Sequence, residues 1–262
     1  MMKKIDRKLD LNLIKNNITT WIKSYCENNL IESLIVGVSG GIDSALVSTL
    51  CANTEINTYV ILLPLNQNKE QTERGEKHIE WLQLNFSNVK KIKIDLSELF
   101  NFFKLTLPNE LHNDLSFANT KSRIRMTTLY HIAQTKNGIV VGTGNKIEDF
   151  GIGFFTKYGD GGIDISPIAD LYKSEVYSMS SSFNIIEEIL NAKPTDGLWD
   201  DDRSDESQIG ATYDELEWAM EFKNKDDLNI LTDREQEILK IYKMFNKKNK
   251  HKMVNIPIFK IT

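Results

Sequence analysis

The sequence predicts an α/β protein built on a doubly wound parallel sheet. Four short runs rich in β-branched residues, SLIVGV, NTYVILLP, VKKIKID and GIVVGT, begin at residues 33, 57, 89 and 138. The first, second and fourth are almost continuously apolar, which is typical of strands that are covered on both faces. Stretches with helical spacing separate them, and this alternation favours right-handed βαβ crossovers. Ligands of such sheets bind at the carboxyl ends of the strands.

Helical spacing places helices before and between these strands. Apolar residues recur at helical intervals from Leu9 to Ile31, which predicts an amphipathic helix ahead of the first strand. The acidic stretch PTDGLWDDDRSDES, at 194–207, has no such periodicity, so we expect a mobile loop there that closes over a ligand. Because there is no internal repeat and no Gly/Ser linker, we expect one domain over residues 1–262. Further helices are predicted over 43–51, 69–86, 96–107 and 114–136, with short helices and a basic tail beyond 207.

Composition and charge narrow the class of protein. The 262 residues are 40% hydrophobic, enough for one sizeable core, and the formal net charge is -5 with a pI near 5.5. That charge argues against a protein that grips nucleic acid over its whole surface. Cys26 and Cys51 form no CxxC pair and suggest neither a zinc site nor a disulfide framework. No apolar run approaches the ~18 residues of a membrane span, and the N-terminus lacks a signal-peptide core, so we expect a cytoplasmic protein.

The stretch VGVSGGIDSALVSTL, at residues 36–50, leads from the first strand through Ser-Gly-Gly into a helix. Such a turn exposes several backbone N–H groups at a helix N-terminus, an arrangement that binds polyphosphate. Ser39 and Ser44 can add hydroxyl donors, and Asp43 suits a bridging Mg²⁺. The stretch lacks the Gly-Lys-Ser/Thr ending of a Walker A loop and the GxGxxG of a dinucleotide fold. The alternative interpretation is a tight turn followed by an ordinary N-cap at Asp43.

Two stretches resemble a known family. Ser-Gly-Gly-x-Asp-Ser after a first strand resembles the PP-loop of the ATP pyrophosphatases, which cleave ATP to AMP and pyrophosphate while activating a substrate as an adenylate. Residues 141–175, VGTGNKIEDFGIGFFTKYGDGGIDISPIADLYKSE, resemble the NAD synthetases within that superfamily. The blocks NTKSRIRM, PTDGL, DESQIGATYDEL and His251-Lys252 extend the resemblance over nearly the whole chain. The resemblance implies an adenine nucleotide α-hydrolase-like fold of the N-type ATP pyrophosphatases.

The resemblance also implies an activity. The expected reaction is the ATP-dependent amidation of deamido-NAD by ammonia through an acyl-adenylate, which gives NAD, AMP and pyrophosphate and is the last step of NAD biosynthesis. ATP is then the expected co-substrate, Mg²⁺ the expected cofactor, and a homodimer with the deamido-NAD site at its interface the expected assembly. Glutamine-dependent relatives carry an additional amidase domain, for which we expect no room before the PP-loop of this chain.

Carried over residue by residue, the resemblance implies roles for three groups of residues. Asp43 and Glu148 would share the Mg²⁺ and, with Lys173, would form the catalytic set. Deamido-NAD would be contacted by Arg123, Lys157, Asp164, His251 and Lys252. ATP would be held by Gly37, Val38, Ser39, Gly40, Gly41, Ile42, Asp43, Ser44, Thr143, Lys173 and Thr195.

The expected amidation requires these residue types for chemical reasons that do not depend on the family. A carboxylate is a poor acyl donor, so its oxygen must attack the α-phosphorus of ATP, and pyrophosphate must leave with its charge neutralised by Mg²⁺ and cations. Ammonia then attacks the acyl-adenylate, so no protein nucleophile is required and both cysteines are interpreted as structural. Because the substrates are anionic and the protein is acidic, we expect a local cluster of cations. Its predicted members are Arg123, Lys146, Lys157, Lys173 and Lys252.

Several of these residues also have a purely structural interpretation. Arg123 could belong to a solvated helix face, Lys157 to a Gly-rich surface turn, and the run 247–252 to an exposed basic tail. Many family members carry Gly-Thr-Asp-His where this chain has Gly-Thr-Gly-Asn-Lys; one extra residue follows Glu148, and Met253 stands in place of the usual Arg. The alternative functions are another amidating or tRNA-modifying PP-loop enzyme, and a nucleotide-binding regulator without turnover.

Overall fold

The computed structural model describes residues 5–195, 197–199, 203–223 and 231–261. Within these residues the strands are β1 (Ser33–Gly37), β2 (Asn57–Leu62), β3 (Val89–Lys93) and β4 (Gly138–Val140). The helices are α1 (Leu11–Asn28), α2 (Ile42–Ala52), α3 (Lys69–Asn85), α4 (Ser97–Thr106), α5 (Asp114–Thr135), α6 (Lys173–Ser182), α7 (Glu187–Leu190), α8 (Asp205–Ile209), α9 (Tyr213–Glu221) and α10 (Asp233–Met253). A 3-10 helix covers Asn109–Leu111, and a π-helical turn covers Ile147–Ile152.

The strands form one parallel sheet in the order β3-β2-β1-β4. On the central strand β1, Ile35 lies opposite Tyr59 of β2 and opposite Val140 of β4. Beyond β4, a single bridge joins Val141 to Ile165. The expected α/β class with a parallel sheet is therefore confirmed, and β1 delivers the Gly-rich loop to the carboxyl edge, where ligands of such sheets bind.

Both faces of the sheet are covered, which explains why the strands are almost continuously apolar. Leu34 and Val36 of β1 are fully buried in a cluster with residues of α1, α2 and α6. Ile35, which points the other way because side chains alternate along a strand, is buried in a cluster with residues of α4 and α5. The helices thus lie on both faces, as the doubly wound arrangement requires.

A third hydrophobic cluster packs the C-terminal helices against the π-helical turn. Ile147 and Ile152 of the turn belong to this cluster together with Leu216 of α9 and Ile238 of α10. Helix α10 is 21 residues long and includes the lysine-rich segment. The predicted short helices are confirmed by α8 and α9, but the predicted basic tail is wrong over residues 246–253, which belong to α10 because tertiary packing stabilises a long helix there.

The elements predicted before residue 141 are confirmed to within a few residues. The predicted loop at 194–207 lies partly outside the described residues, since 196 and 200–202 are not among them. In the described remainder, Thr195, Gly197 and Leu198 line a cavity at the carboxyl edge of the sheet. No helix in the described ranges has both the length and the apolar character needed to cross a membrane.

Candidate active site

The loop between β1 and α2 depends on one glycine and two serine side chains. Gly40 has a φ of +84°, and a Cβ at this position would lie 2.2 Å from the carbonyl oxygen of Gln71 on α3. Only glycine meets both conditions. The hydroxyl groups of Ser39 and Ser44 lie 3.1 Å apart, and Ser44 donates to the Gly41 carbonyl at 2.9 Å. These contacts fix the loop directly before the N-terminus of α2.

Asp43 and Glu148 meet at a single ammonium group. Lys173 Nζ donates to Asp43 Oδ2 at 2.6 Å and to Glu148 Oε1 at 3.1 Å, and its side chain is only 3% exposed. Burial disfavours the charge on Lys173, but the two carboxylates outweigh it and raise its pKa, so the group stays cationic. Burial raises the pKa of Glu148, an effect that Lys173 opposes. Asn145 Nδ2 donates to the other oxygen of Asp43 at 3.1 Å.

The N-terminus of α6, where Lys173 is the first residue, is anchored from two sides. The carboxylate of Glu175 closes a capping box there, and Arg7 Nε donates to it at 2.7 Å. The fully buried carboxylate of Glu217, on α9, accepts from the backbone N–H of Ser174 at 2.9 Å and from its hydroxyl at 2.7 Å. These contacts satisfy free helix N–H groups and thereby hold Lys173 against the Gly-rich loop.

The two carboxylates that contact Lys173 are the kind of ligand that a hard divalent cation prefers. Two carboxylates already converge on one positive group, and Mg²⁺ is bound through one or two carboxylates together with substrate phosphates and water. In the part of the chain that the structure describes, no group of three or more His, Cys, Asp and Glu side chains is placed to hold a metal. A Mg²⁺ ion at Asp43 and Glu148 would therefore complete its coordination with oxygens from a bound phosphate.

The sequence-predicted ATP and Mg²⁺ residues lie around one cavity of about 250 Å³. Its floor is the Gly-rich loop, and its walls come from the segments that follow β4 and from the start of α6. The predicted residues in its lining are Gly37, Val38, Ser39, Gly40, Gly41, Ile42, Asp43, Ser44, Thr143, Glu148, Lys173 and Thr195. The fold thus brings this whole set together.

The cationic side chains that line the cavity are only in part the ones predicted from the sequence. Arg74, Arg125 and Lys193 line it besides Lys173, and sequence reasoning gave none of the three a role. Arg74 Nε reaches the Gly40 carbonyl at 3.5 Å. The expected member Lys146 instead lies 3.0 Å from Asp170 and 4.8 Å from the ring centre of Tyr172. Spacing along the chain did not reveal which way these side chains point.

The segment that begins at Ile147 and includes Glu148 forms the π-helical turn. This turn carries Asp149 into the lining of the cavity, beside Gly144. A Cβ on residue 144 would lie 2.2 Å from Asp149 Oδ1 and 2.3 Å from Oδ2, so the carboxylate occupies the space of a side chain at 144. Burial and the neighbouring charge of Glu148 raise the pKa of Asp149 to about 8. Gly144 and the position of the Asp149 carboxylate therefore depend on each other.

Four of the five residues predicted to contact deamido-NAD form a connected group beside the cavity. Arg123 Nε donates to the Lys157 carbonyl at 3.3 Å, and Lys157 Nζ donates to the His251 carbonyl at 3.2 Å. Lys252 Nζ donates to the Phe155 carbonyl at 2.6 Å. The contacts bring the end of α10 to the loop after the π-helical turn.

Asp164 lies apart from this group. Its Oδ2 accepts from the backbone N–H of Val140 at 2.8 Å, and its Oδ1 accepts from the Tyr130 hydroxyl at 3.0 Å. Within this chain the carboxylate is thus bound to β4 and α5.

Sequence reasoning also missed Tyr213. Its hydroxyl donates to Glu148 Oε1 at 2.6 Å, and its ring lies under Lys173 Nζ at 4.6 Å from the ring centre. Tyr213 lies in the block DESQIGATYDEL, which carries part of the resemblance. Nothing in the sequence spacing of this block connects Tyr213 to Lys173.

The parallel sheet with a Ser-Gly-Gly loop after its central strand defines a PP-loop ATP pyrophosphatase. A family model described as NAD synthase matches residues 14–255. The chain belongs to the NAD synthase family and is thus a ligase of NAD biosynthesis. It is 36% identical over 233 residues to an NH(3)-dependent NAD(+) synthetase of Mycoplasma genitalium, covering 87% of this chain and 89% of the relative.

Solved structures agree with this assignment. An NMN synthetase from Francisella tularensis superposes with a TM-score of 0.83 at 28% identity, covering 97% of this chain and 100% of that one. An NH3-dependent NAD synthetase from Campylobacter jejuni, in complex with the nitrate ion, gives a TM-score of 0.78 at 27% identity, with 96% and 100% covered. The fold and the family are therefore established.

Proposed function

We propose that this chain amidates deamido-NAD with ammonia, at the cost of ATP, as a single NAD synthetase domain over residues 1–262. The observation that carries the proposal is the contact of Lys173 with both Asp43 and Glu148 beside the Gly-rich loop. A fixed cation, two carboxylates and the Gly-rich loop therefore meet at the same carboxyl edge of the sheet. ATP cleavage between the α- and β-phosphates needs that combination.

The first half-reaction joins the nicotinate carboxylate to the α-phosphorus. A carboxylate oxygen forms the new bond while the bond from the α-phosphorus to pyrophosphate breaks. The backbone N–H groups of residues 39–44 would hold the phosphates, and Lys173 would stabilise the negative charge that develops on the leaving pyrophosphate. Arg74, at the same loop, would add a second positive charge.

Asp43 and Glu148 are the residues that would hold a Mg²⁺ ion. When bound, the ion would neutralise phosphate charge that Lys173 alone cannot balance. The support is the convergence of two hard oxygen donors on one cationic position.

The second half-reaction uses ammonia as nucleophile. Its nitrogen bonds to the carbonyl carbon of the acyl-adenylate, the bond from that carbon to AMP breaks, and the nitrogen gives up one proton. Arg123, Lys157, His251 and Lys252 would hold deamido-NAD. The support is that Arg123 and Lys157 donate to the backbone carbonyls of Lys157 and His251, while Lys252 donates to that of Phe155, which lines the cavity. Asp164 would take part once its present bonds to Val140 and Tyr130 are shared with the substrate.

A second copy of the chain would complete the substrate site. The support is an apolar surface on α4, the 3-10 helix and the start of α5, where large side chains are exposed by more than half. Monomeric proteins rarely leave large apolar patches uncovered. Its members are Leu99, Phe102, Leu105, Leu111 and Leu115. Light scattering of the wild type and of Phe102→Asp tests this: a dimer that the substitution converts to monomer supports the proposal, and a wild-type monomer contradicts it.

Incubation with ATP, Mg²⁺, deamido-NAD and ammonium tests the reaction. Formation of NAD, AMP and pyrophosphate in equal amounts supports the proposal. ADP and phosphate would contradict cleavage at the α-phosphorus, and tight binding without turnover would favour a regulator. Omission of Mg²⁺ should abolish product formation.

The similarity to an NMN synthetase supports one alternative substrate, the mononucleotide acid that yields NMN on amidation. The chemistry at the carboxylate is identical, and only the missing adenylate half of the substrate differs. A comparison of kcat/KM for deamido-NAD and for nicotinic acid mononucleotide decides between them. A higher value for the mononucleotide would replace the proposed substrate while leaving the mechanism in place.

A further inference from the structure

Tyr213, the first residue of α9, touches two members of the Asp43, Glu148 and Lys173 set. Its hydroxyl lies 2.6 Å from Glu148 Oε1, closer than the Lys173 ammonium, which lies 3.1 Å from the same oxygen. Its ring centre lies 4.6 Å from Lys173 Nζ. The side chain is 5% exposed, so these contacts are made away from solvent.

The direction of the hydrogen bond follows from the chemistry of the two groups. An ionised carboxylate only accepts, so the Tyr213 hydroxyl is the donor to Glu148. Two carboxylate oxygens are within reach, Glu148 Oε1 at 2.6 Å and Asp205 Oδ2 at 3.3 Å. One proton forms one strong bond, and the shorter distance assigns it to Glu148.

Helix α9 supports the site through a second residue. Glu217, one turn after Tyr213, binds the backbone N–H and the hydroxyl of Ser174. Because Ser174 follows Lys173, the same helix fixes the backbone that carries the lysine and the carboxylate that faces it. Thr212 begins the helix with a capping box, and so its first turn, which includes Tyr213, is itself held in place.

We propose that Tyr213 is a positioning residue for the metal-binding carboxylate of this enzyme. It binds one oxygen of Glu148 and leaves the other free for the cation, while its ring stabilises the Lys173 ammonium through a cation–π contact. The inference rests on the proposed metal role of Glu148. Loss of such an outer partner typically lowers metal affinity about 10-fold to 100-fold.

Tyr213→Phe tests the proposal because it keeps the ring and removes only the hydroxyl. Mn²⁺ serves as the probe, and its binding to the purified enzyme with a non-hydrolysable α,β-methylene ATP analogue is followed by electron paramagnetic resonance. We expect a Mn²⁺ dissociation constant about tenfold weaker than that of wild type. The Mg²⁺ concentration that gives half the maximal rate should rise in step, while the KM for deamido-NAD stays within about twofold, because Tyr213 is not among the residues that line the cavity.

Tyr242→Phe is the matched control, since it removes a hydroxyl from the same hydrophobic cluster without a contact to Glu148. Weakened Mn²⁺ binding in the Tyr213 variant alone supports the proposal. If Tyr213→Phe binds Mn²⁺ like wild type, or lowers only the melting temperature, the residue is structural and the inference is wrong. In that case NAD formation by the wild type would still stand. A wild type that binds no Mn²⁺ with the ATP analogue would instead refute the metal role itself.

Discussion

The ammonium of Lys173 lies 2.6 Å from Oδ2 of Asp43, across 130 residues of sequence. This contact joins the start of α6 to the start of α2, and Glu148 binds the same ammonium at 3.1 Å. A buried lysine without such partners would lose its charge, since burial alone disfavours the ionised form. The charges of the three groups therefore depend on one another, and a substitution can remove each charge separately.

Asp43→Asn should lower the rate of adenylate formation by at least about a hundredfold, because it removes a charge from the proposed Mg²⁺ site at constant size. Glu148→Gln should act similarly. Pyrophosphate release in single-turnover reactions, repeated over a range of Mg²⁺ concentrations, measures the effect. A variant that keeps the wild-type rate at every Mg²⁺ concentration in that range would exclude a metal role for its residue.

Gly40→Ala should destabilise the fold and abolish ATP binding. The left-handed backbone costs about 1–2 kcal/mol for alanine, and the Cβ would meet the Gln71 carbonyl at 2.2 Å. Gly41→Ala is the control, because its φ is -95° and its nearest neighbour is the Ser39 hydroxyl at 3.3 Å. Urea unfolding compares the two. Equal stability of both variants would contradict the loop geometry.

Gly144→Ala should displace the Asp149 carboxylate from the cavity and cost about 1–3 kcal/mol, the usual range for overpacking. Asp149→Ala alone should be milder. The double variant Gly144→Ala, Asp149→Ala should recover most of the loss, because the new methyl group then enters the space that the carboxylate leaves. Strict additivity of the two unfolding free energies would show that the side chains do not share this space.

Acidification should destabilise the protein through His78. Its ring, buried between α3 and α2, contacts Ser48 Oγ at 2.9 Å, and burial lowers its pKa to about 4 from an ordinary 6.5. Between these values the unfolded chain binds a proton that the folded chain does not, so stability falls as the pH falls. From pH 7 to pH 5 the loss due to His78 is about 2 kcal/mol. Urea unfolding of wild type and His78→Gln isolates it; parallel pH profiles would contradict the assignment.

The double variant Cys26→Ala, Cys51→Ala should retain ammonia-dependent NAD synthesis. Both thiols are buried, and burial raises the pKa of Cys26 to about 11 and that of Cys51 further, so neither is an activated nucleophile. A modest loss of stability is expected from the smaller side chains. With glutamine free of ammonium, wild type should make almost no NAD. Robust glutamine-driven synthesis that the double substitution abolishes would overturn ammonia as the donor.

The central part of the fold could be predicted because its signals are local. The predicted strand SLIVGV is β1 apart from its last residue, and the helix predicted over 114–136 is α5, which Asn113 caps by accepting from the Ser116 N–H. Asp43 and Glu148 converge because loops after neighbouring parallel strands meet at one edge of the sheet, and the resemblance paired the two residues.

The rest depends on contacts that sequence spacing does not show. A π-helical turn and an α-helix have the same apolar pattern over so few residues, so the displacement of Asp149 into the cavity could not be foreseen. In α10, Ile238, Tyr242 and Phe245 lie at helical spacing, and Thr232 with Glu235 forms a capping box, but the surrounding lysines and asparagines obscured this signal. Sequence spacing does not distinguish the roles of Lys146 and Lys173 either, because it does not give the direction in which each side chain points.

The bond between Asp164 and β4 has a consequence for association between copies of this chain. β4 is an edge strand of the sheet, and such strands offer unpaired backbone groups to other molecules. Here the Val140 N–H is taken by the Asp164 carboxylate, and the Val140 carbonyl by the Asp164 N–H at 2.9 Å. The opposite edge, β3, carries Lys90, Lys91 and Lys93. At one edge the backbone groups of Val140 are already hydrogen-bonded, and at the other edge lysine side chains disfavour pairing. Both edges of the sheet therefore disfavour strand addition and aggregation.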